Sequence, residues 1–172
     1  VLHPECQFDM CRVGVGLYGL QPAETTVGVI DLEPAMSVRG RVTRVVYPEV
    51  GAGVGYGMTY RVPKRNVQIA TVPIGYADGL SRTLSNNMDV IVNGRRQRQV
   101  GNICMDQFML AVDVNTTRTY CPTPEIREGD VVTVIGADGD ERITADEMAR
   151  LRGTINYEVV CGFGMRLPKV FV

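Results

Sequence analysis

The run Val90-Ile91-Val92, then Asn93-Gly94, then a second extended stretch to Val100 constrains this chain more than any other feature. Asn-Gly supplies two adjacent residues that tolerate positive φ, as the tight type I′ turn of a β-hairpin requires. Elsewhere Met36, Val38, Gly40 and Val42 alternate with Ser37, Arg39, Arg41 and Thr43, the period of a strand with one buried face. Residues 67–72 and 131–135 read as further strands, the latter leading to a turn region at Gly136-Ala137-Asp138-Gly139. Thr144-Ala145-Asp146-Glu147 is a capping box that opens a helix, with Met148, Ala149 and Leu151 on its apolar side and Gly153 at its end. A second short helix or turn is expected over 154–158, and a last strand over 169–172. The fold class expected is mainly β, a closed barrel-like or sandwich-like domain with one or two short helices.

With 172 residues, 45% hydrophobic and 22% charged, the chain suits one ordinary globular domain. No apolar run approaches the roughly 18–20 residues of a membrane span. A net charge of −1 gives no global field to recruit nucleic acid or an anionic membrane. Arg95-Arg96-Gln97-Arg98, without interleaved aromatics, reads as a solvated strand face. The cysteines (Cys6, Cys11, Cys104, Cys121, Cys161) are odd in number and lack CxxC spacing, which favours a reducing cytoplasm over a disulfide framework or a metal site. His3 is the only imidazole, so no Ser/His or Cys/His pair is expected. The start lacks an initiator Met and a basic n-region, so a fragment of a longer polypeptide is expected and a signal peptide is not. Residues 1–20 differ in character from the rest: 8–19 read as a strand end, a glycine-rich turn and a short apolar continuation. Residues 21–34 read as a Pro-containing connector, and the β signal begins near 35.

Three segments combine polar groups with unusual backbone. In Gly53-Val54-Gly55-Tyr56-Gly57-Met58-Thr59-Tyr60, flanking glycines permit either a β-bulge with a packed aromatic or a close approach to a ligand or partner. Pro73-Ile74-Gly75-Tyr76-Ala77-Asp78-Gly79 ends a strand in a turn that presents a second tyrosine, and Asp-Gly is an ordinary turn pair. Ile103-Cys104-Met105-Asp106-Gln107, read as a strand, places Cys104 and Asp106 on one face inside an apolar run, where a carboxylate needs a partner. Arg12-Val13-Gly14-Val15-Gly16 is a weaker candidate anion site, because free N–H groups of such a turn can converge on phosphate.

Together the segments FDMCRVGVGLYG, GVGYGMTY, VPIGYADG, VGNICMDQ, GDVVTVIG, ITADEMA, GTINYEVVCG and RLPKVFV, in this order, resemble the C-terminal part of alanine racemases over residues 8–172. The resemblance implies that residues 1–20 are the remnant of the last strand and loop of an N-terminal (β/α)8 barrel. Residues 21–34 would be the connector and 35–172 the C-terminal β domain. The cofactor implied is pyridoxal 5′-phosphate (PLP), and the reaction is interconversion of L- and D-alanine, the latter for peptidoglycan. Tyr56 matches the catalytic tyrosine that exchanges the α-proton on one face. Met105, Asp106 and Tyr76 match residues lining the substrate site. Arg12 matches the arginine facing the PLP ring nitrogen, Gly14 and Val15 match backbone donors to its phosphate, and Tyr157 matches a tyrosine that reaches that phosphate. Val13 and Asn102 stand where relatives commonly have Pro and Arg.

Racemisation suits two bases on opposite faces of a planar intermediate, and the family implies a lysine on one face and the tyrosine on the other. A free tyrosine has a pKa near ~10, so nearby cations must favour its ionised form if it is to act as a base near neutrality. An arginine beside the ring nitrogen keeps its proton and weakens the ring as an electron sink, which disfavours side reactions. The only lysines, Lys64 and Lys169, lack the setting expected of the cofactor's lysine. This polypeptide alone is therefore expected to bind PLP poorly and to be inactive. The implied assembly is a homodimer in which Arg12, Gly14, Val15 and Tyr157 serve the chain's own cofactor. Tyr56, Tyr76, Met105 and Asp106 would serve the partner's. Alternatives are a racemase for another amino acid such as serine, a related PLP decarboxylase, or a free-standing β interaction module.

Overall fold

The computed structural model describes residues 3–114 and 125–171. Ten strands and two helices are present among them: β1 (Val38–Arg41), β2 (Arg44–Val46), β3 (Gly53–Val54), β4 (Tyr60–Arg61), β5 (Val67–Val72), β6 (Asp89–Val92), β7 (Arg95–Val100), β8 (Phe108–Asp113), β9 (Val131–Asp138), β10 (Glu141–Ile143), α1 (Ala145–Arg152) and α2 (Asn156–Gly162). The main sheet runs β1-β9-β6-β7-β8-β5-β2, with β10 added to β9, while β3 and β4 form a small separate hairpin. Every pairing is antiparallel. The fold class is mainly β, as expected.

The anticipated hairpin is β6–β7. Val92 pairs with Arg95, and Asn93 (φ 51°) with Gly94 (φ 69°) takes the two positive-φ positions between them. The alternating run from Met36 shortens to β1 and then switches partner. Val42 N–H donates to Asp130 O at 2.9 Å, and Thr43 N–H donates to Thr71 O at 2.9 Å. The two ends of the sheet path, β1 and β2, thus sit on one continuous segment, 38–46, which brings the sheet round on itself without pairing β1 to β2.

Side chains inside this curved sheet form the main core, where Val90, Phe108, Leu110, Val132 and Val134 are fully buried. Met148, Ala149 and Val159 from the two helices close one side of it. A second, smaller cluster lies on the opposite face of β5: Val67, Ile69 and Met109 pack against Val54 and Val62, which seats the β3–β4 hairpin on the sheet. β5 is thus covered on both faces, and its one buried amide, Gln68, is satisfied by donating to Ile126 O at 2.8 Å.

Four local expectations are corrected. Residues 169–171 form no strand; Val170 and Phe171 are exposed, so the tail packs no side chain against the sheet that would hold it extended. Residues 8–14 contain no strand either, and the apolar continuation is a 3₁₀ turn at Val15–Tyr18. The turn placed at 136–139 begins later, since β9 runs to Asp138 and Gly136 pairs with Ile143. The capping box is half made: Thr144 Oγ accepts from Glu147 N–H at 3.0 Å, but the Glu147 carboxylate is taken by Arg96 at 2.6 Å. Arg96 also pairs with Glu141, and Arg98 with Asp89, so the basic run on β7 is a partly buried, ion-paired face. Cys121 lies outside the described residues; Cys6, Cys11, Cys104 and Cys161 are free.

Candidate functional site

Tyr56 sits on a 3₁₀ turn, Tyr56–Met58, at the tip of the β3–β4 hairpin. Gly55 (φ 71°) and Gly57 (φ 73°) flank it, and a Cβ on Gly55 would lie 2.7 Å from the Met109 methyl. The turn therefore requires glycine at 55 both for its dihedral and for its approach to β8. The Tyr56 side chain is not the packed aromatic of a bulge: the residue is 73% exposed. The backbone is contorted and the ring stands free, so close approach to a ligand or partner is the alternative the geometry favours.

The second segment follows β5. Residues 76–78 form a 3₁₀ turn in which Asp78 is 5% exposed, far more enclosed than an ordinary turn aspartate. Asp78 Oδ2 accepts from Gly75 N–H at 2.8 Å, stapling the turn. Tyr76 and Ala77 donate their N–H groups to Cys104 O and Met105 O, each at 3.0 Å. A Cβ on Gly75 would fall 2.2 Å from Met105 O, so the two loops touch backbone to backbone. The third segment, 103–107, is not a strand but a tight loop closed by Cys104 N–H to Gln107 O at 2.8 Å. Cys104 points inward, while Met105 and Asp106 are exposed; the expectation of a buried Asp106 on a strand face is overturned because the chain turns before β8 begins.

These loops meet around one open groove of ≈ 1450 Å³, lined by Tyr56, Tyr76, Cys104, Met105 and Asp106 together with Arg44 and Arg82. The structure thus brings together Tyr56, Tyr76, Met105 and Asp106 from three segments distant in sequence. It adds three arginines that sequence reasoning missed. Arg44 and Arg82 carry positive charge into the groove. Arg166, from the tail after α2, bridges Asp106 (Nη2 to Oδ1, 2.5 Å) and Asp78 (Nε to Oδ1, 3.2 Å). The hydrogen bond to Asp106, then the charge of Asp78, raise the Arg166 pKa above its ordinary value. Nothing local in RLPKVFV marks that arginine as a partner of residues so distant in sequence. With Asp106 neutralised, the groove is net positive and suits a small anionic ligand such as a carboxylate.

Arg12, Gly14, Val15 and Tyr157 do not join this groove. Val15 is buried in the main core at the start of its 3₁₀ turn, while Arg12 is exposed and Gly14 is bare, with nothing within 4 Å of a Cβ built on it. Tyr157 is half-exposed in the first turn of α2, and Asn156 ties that helix to the start of the 21–34 stretch by donating to Gln21 O at 2.9 Å. Among the described residues, no hydrogen bond joins Arg12 to Tyr56. No helix among the described residues is long and apolar enough to cross a membrane.

Comparison with known proteins gives one consistent family. The profile described as "Alanine racemase, C-terminal domain" matches residues 35–171. Alanine racemase of a Nostoc species is 43% identical over 169 residues, 98% of this chain and 42% of the relative. That of Symbiobacterium thermophilum is 43% identical over 171 residues, 99% and 43% respectively. The crystal structure of alanine racemase from Bacillus anthracis with bound L-Ala-P superposes with a TM-score of 0.83 at 40% identity, covering 94% of this chain and 39% of that one. The chain thus spans about two fifths of the length of the relatives it matches.

Proposed function

The chain belongs to the alanine racemase C-terminal domain family, and from that premise we propose that the whole protein interconverts L- and D-alanine with PLP in a homodimer. In this reading residues 1–20 complete an N-terminal barrel, 21–34 connect, and 35–172 form the β domain. The exposure of Phe8 (90%), Met10 and Leu17 supports it, since apolar side chains of this size are normally covered by further polypeptide. The protein would work in the cytoplasm, supplying D-alanine for cell-wall peptidoglycan.

The observation that carries the proposal is the free phenol of Tyr56 at the rim of a cationic groove shared with Tyr76, Met105 and Asp106. A hydroxyl with no hydrogen-bond partner among the described residues is available to one supplied from elsewhere. The residues present also fit the cofactor. The bare backbone at Gly14 and Gly16 leaves room for a phosphate against the Val15 turn, Tyr157 stands on the helix that Asn156 fastens to Gln21 just beyond that turn, and Arg12 is a permanently charged donor for a ring nitrogen. When bound, PLP would acidify the α-proton of an amino acid by drawing off electron density.

This chain's own contribution to the chemistry is then proton handling and orientation. Tyr56 Oη takes or returns the α-proton on one face, while a barrel lysine serves the opposite face. Tyr76 and the 103–107 loop shape the groove into which the substrate side chain projects, and its positive charge holds the carboxylate. Because the Arg12 segment does not line the groove that Tyr56 borders, each active site would combine one subunit's Arg12 segment with its partner's Tyr56 turn.

The test is Tyr56→Phe in the full-length enzyme. General acid–base groups contribute roughly 10²–10⁴-fold, so kcat should fall by about that factor in both directions. Interconversion at the native rate would end the proposal.

A further inference from the structure

We propose that Asn102 is a positioning residue for Tyr56, fixing the turn on which the phenol is mounted; this rests on the reading of Tyr56 as the proton-exchanging group. The turn has little rigidity of its own. Gly55, Gly57 and Met58 all have positive φ, and its internal hydrogen bond is Met58 N–H to Gly55 O at 3.2 Å. Glycines on both sides of a working side chain give the backbone freedom that must be removed from outside. The removal is visible: Asn102 Nδ2 donates to Tyr56 O at 2.8 Å, across 46 residues of sequence. The same amide crowds the next residue, since a Cβ on Gly57 would lie 3.4 Å from Asn102 Nδ2.

Asn102 is itself held. Asn86 Oδ1 accepts from Gly101 N–H at 2.7 Å, and Ser85 Oγ accepts from Ile103 N–H at 3.0 Å, so residues on both sides of Asn102 are anchored. Asn86 Nδ2 also donates to Thr59 Oγ at 3.2 Å, just beyond the Tyr56 turn. Two asparagine amides thereby close a circuit from the turn through 101–102 and 86 back to Thr59. The loop that continues from Asn102 carries Met105 and Asp106, so one amide sets the phenol relative to the groove's other wall. The contact needs a donor, because the atom served is a carbonyl oxygen. Aspartate, the same shape without the N–H, would set acceptor against acceptor.

The experiment uses the full-length racemase with Tyr56→Phe, Asn102→Asp, Asn102→Ala and the double variant Tyr56→Phe/Asn102→Asp. Misplacement of a catalytic group by about 1 Å can cost roughly 100-fold, so Asn102→Asp should lower kcat roughly 10- to 100-fold while KM for alanine stays within about twofold. A phenol that serves one face only must show its defect on that face. The α-deuterium isotope effect should therefore rise with one alanine enantiomer and stay unchanged with the other. In the Tyr56→Phe background, Asn102→Asp should cost nothing more. Amide hydrogen exchange at Met58 should quicken in both Asn102 variants, a readout independent of turnover. If Asn102→Asp does not fold, Asn102→Ala must show the same one-sided isotope effect. Wild-type kcat in the Asn102 variants, equal isotope effects with both enantiomers, or full additivity in the double variant would each overturn the inference while leaving the role of Tyr56 standing. A Tyr56→Phe enzyme of native speed would instead remove the reading beneath it.

Discussion

Arg166 and Asp106, 60 residues apart in sequence, meet at 2.5 Å, and through the same guanidinium Asp106 is linked to the buried Asp78. The tail after α2 therefore fastens the two loops that frame the groove. Arg166→Gln should release the 103–107 loop and leave Asp78 without its cation. We expect a lower melting temperature, an effect that shrinks in high salt because the arginine is solvent-accessible, and a raised KM for alanine in the full-length enzyme. Unchanged thermal unfolding at low salt would show that the bridge contributes nothing.

Gly75→Ala tests the backbone contact between the same loops. The dihedrals of Gly75 are ordinary extended ones, so any penalty comes from the new methyl meeting Met105 O and Cys104 O at 2.2 and 2.4 Å. Overpacking of this kind costs about 1–3 kcal/mol. Denaturant titration of the variant should register a loss in that range; a loss below about 0.5 kcal/mol would mean the loops separate freely.

Thr144→Ala isolates the half of the capping box that exists. Loss of the hydroxyl that receives Glu147 N–H should cost about 1 kcal/mol. Glu147→Gln should act mainly through Arg96, not through the helix start. Chemical denaturation of the two single variants and the double variant separates these effects: near-additive losses are expected, and strong coupling would place the Glu147 carboxylate back at the cap.

Tyr60 gives an alkaline signature. Burial first, then the charge of Asp113, raise its pKa above 10.0, against a smaller opposing effect of Lys64. The neutral phenol is the form the fold favours, so its contribution is intact below the unfolded value near ~10 and is lost as pH climbs through the higher folded value. The phenolate absorbance removed by Tyr60→Phe in an ultraviolet titration should belong to a group ionising above the ordinary tyrosine value, and the same variant should flatten the decline of stability with rising pH. A Tyr60→Phe difference titration centred at or below the ordinary tyrosine value would contradict the assignment.

The 172-residue polypeptide by itself should neither racemise alanine nor form a stoichiometric borohydride-reducible imine with PLP. Lys64 is engaged by Asp113 at 2.5 Å, and Lys169 lies in the exposed tail. Specific trapping of either lysine at equimolar cofactor would refute this.

What was legible in the sequence is local. The Asn93-Gly94 turn and the β5 strand follow from adjacent residues and have the expected form, while the Thr144 cap keeps its hydroxyl half and loses its carboxylate half to Arg96. The groove residues Tyr56, Tyr76, Met105 and Asp106 were found through motif resemblance, yet their setting was not. A strand reading of 103–107 failed because Cys104 N–H closes a loop onto Gln107 O instead of joining a neighbour. Arg166 and Asn102 escaped notice as structural ties because their partners lie 60 and 46 residues away, where no periodicity reaches. The strand expected over 169–172 had suitable β-formers, yet Val170 and Phe171 are exposed, and whether such residues pair is decided by tertiary packing that local composition does not encode.

The sheet topology has a mechanical corollary. Because the stretch 38–46 is shared between opposite margins of the sheet, the peptide joining Val42 to Thr43 acts as the clasp of a belt. Fraying at either margin pulls on the other, so the strands should open as one unit in hydrogen exchange. A single backbone nick at that clasp would leave every strand in place and still divide the domain's unfolding into independent steps.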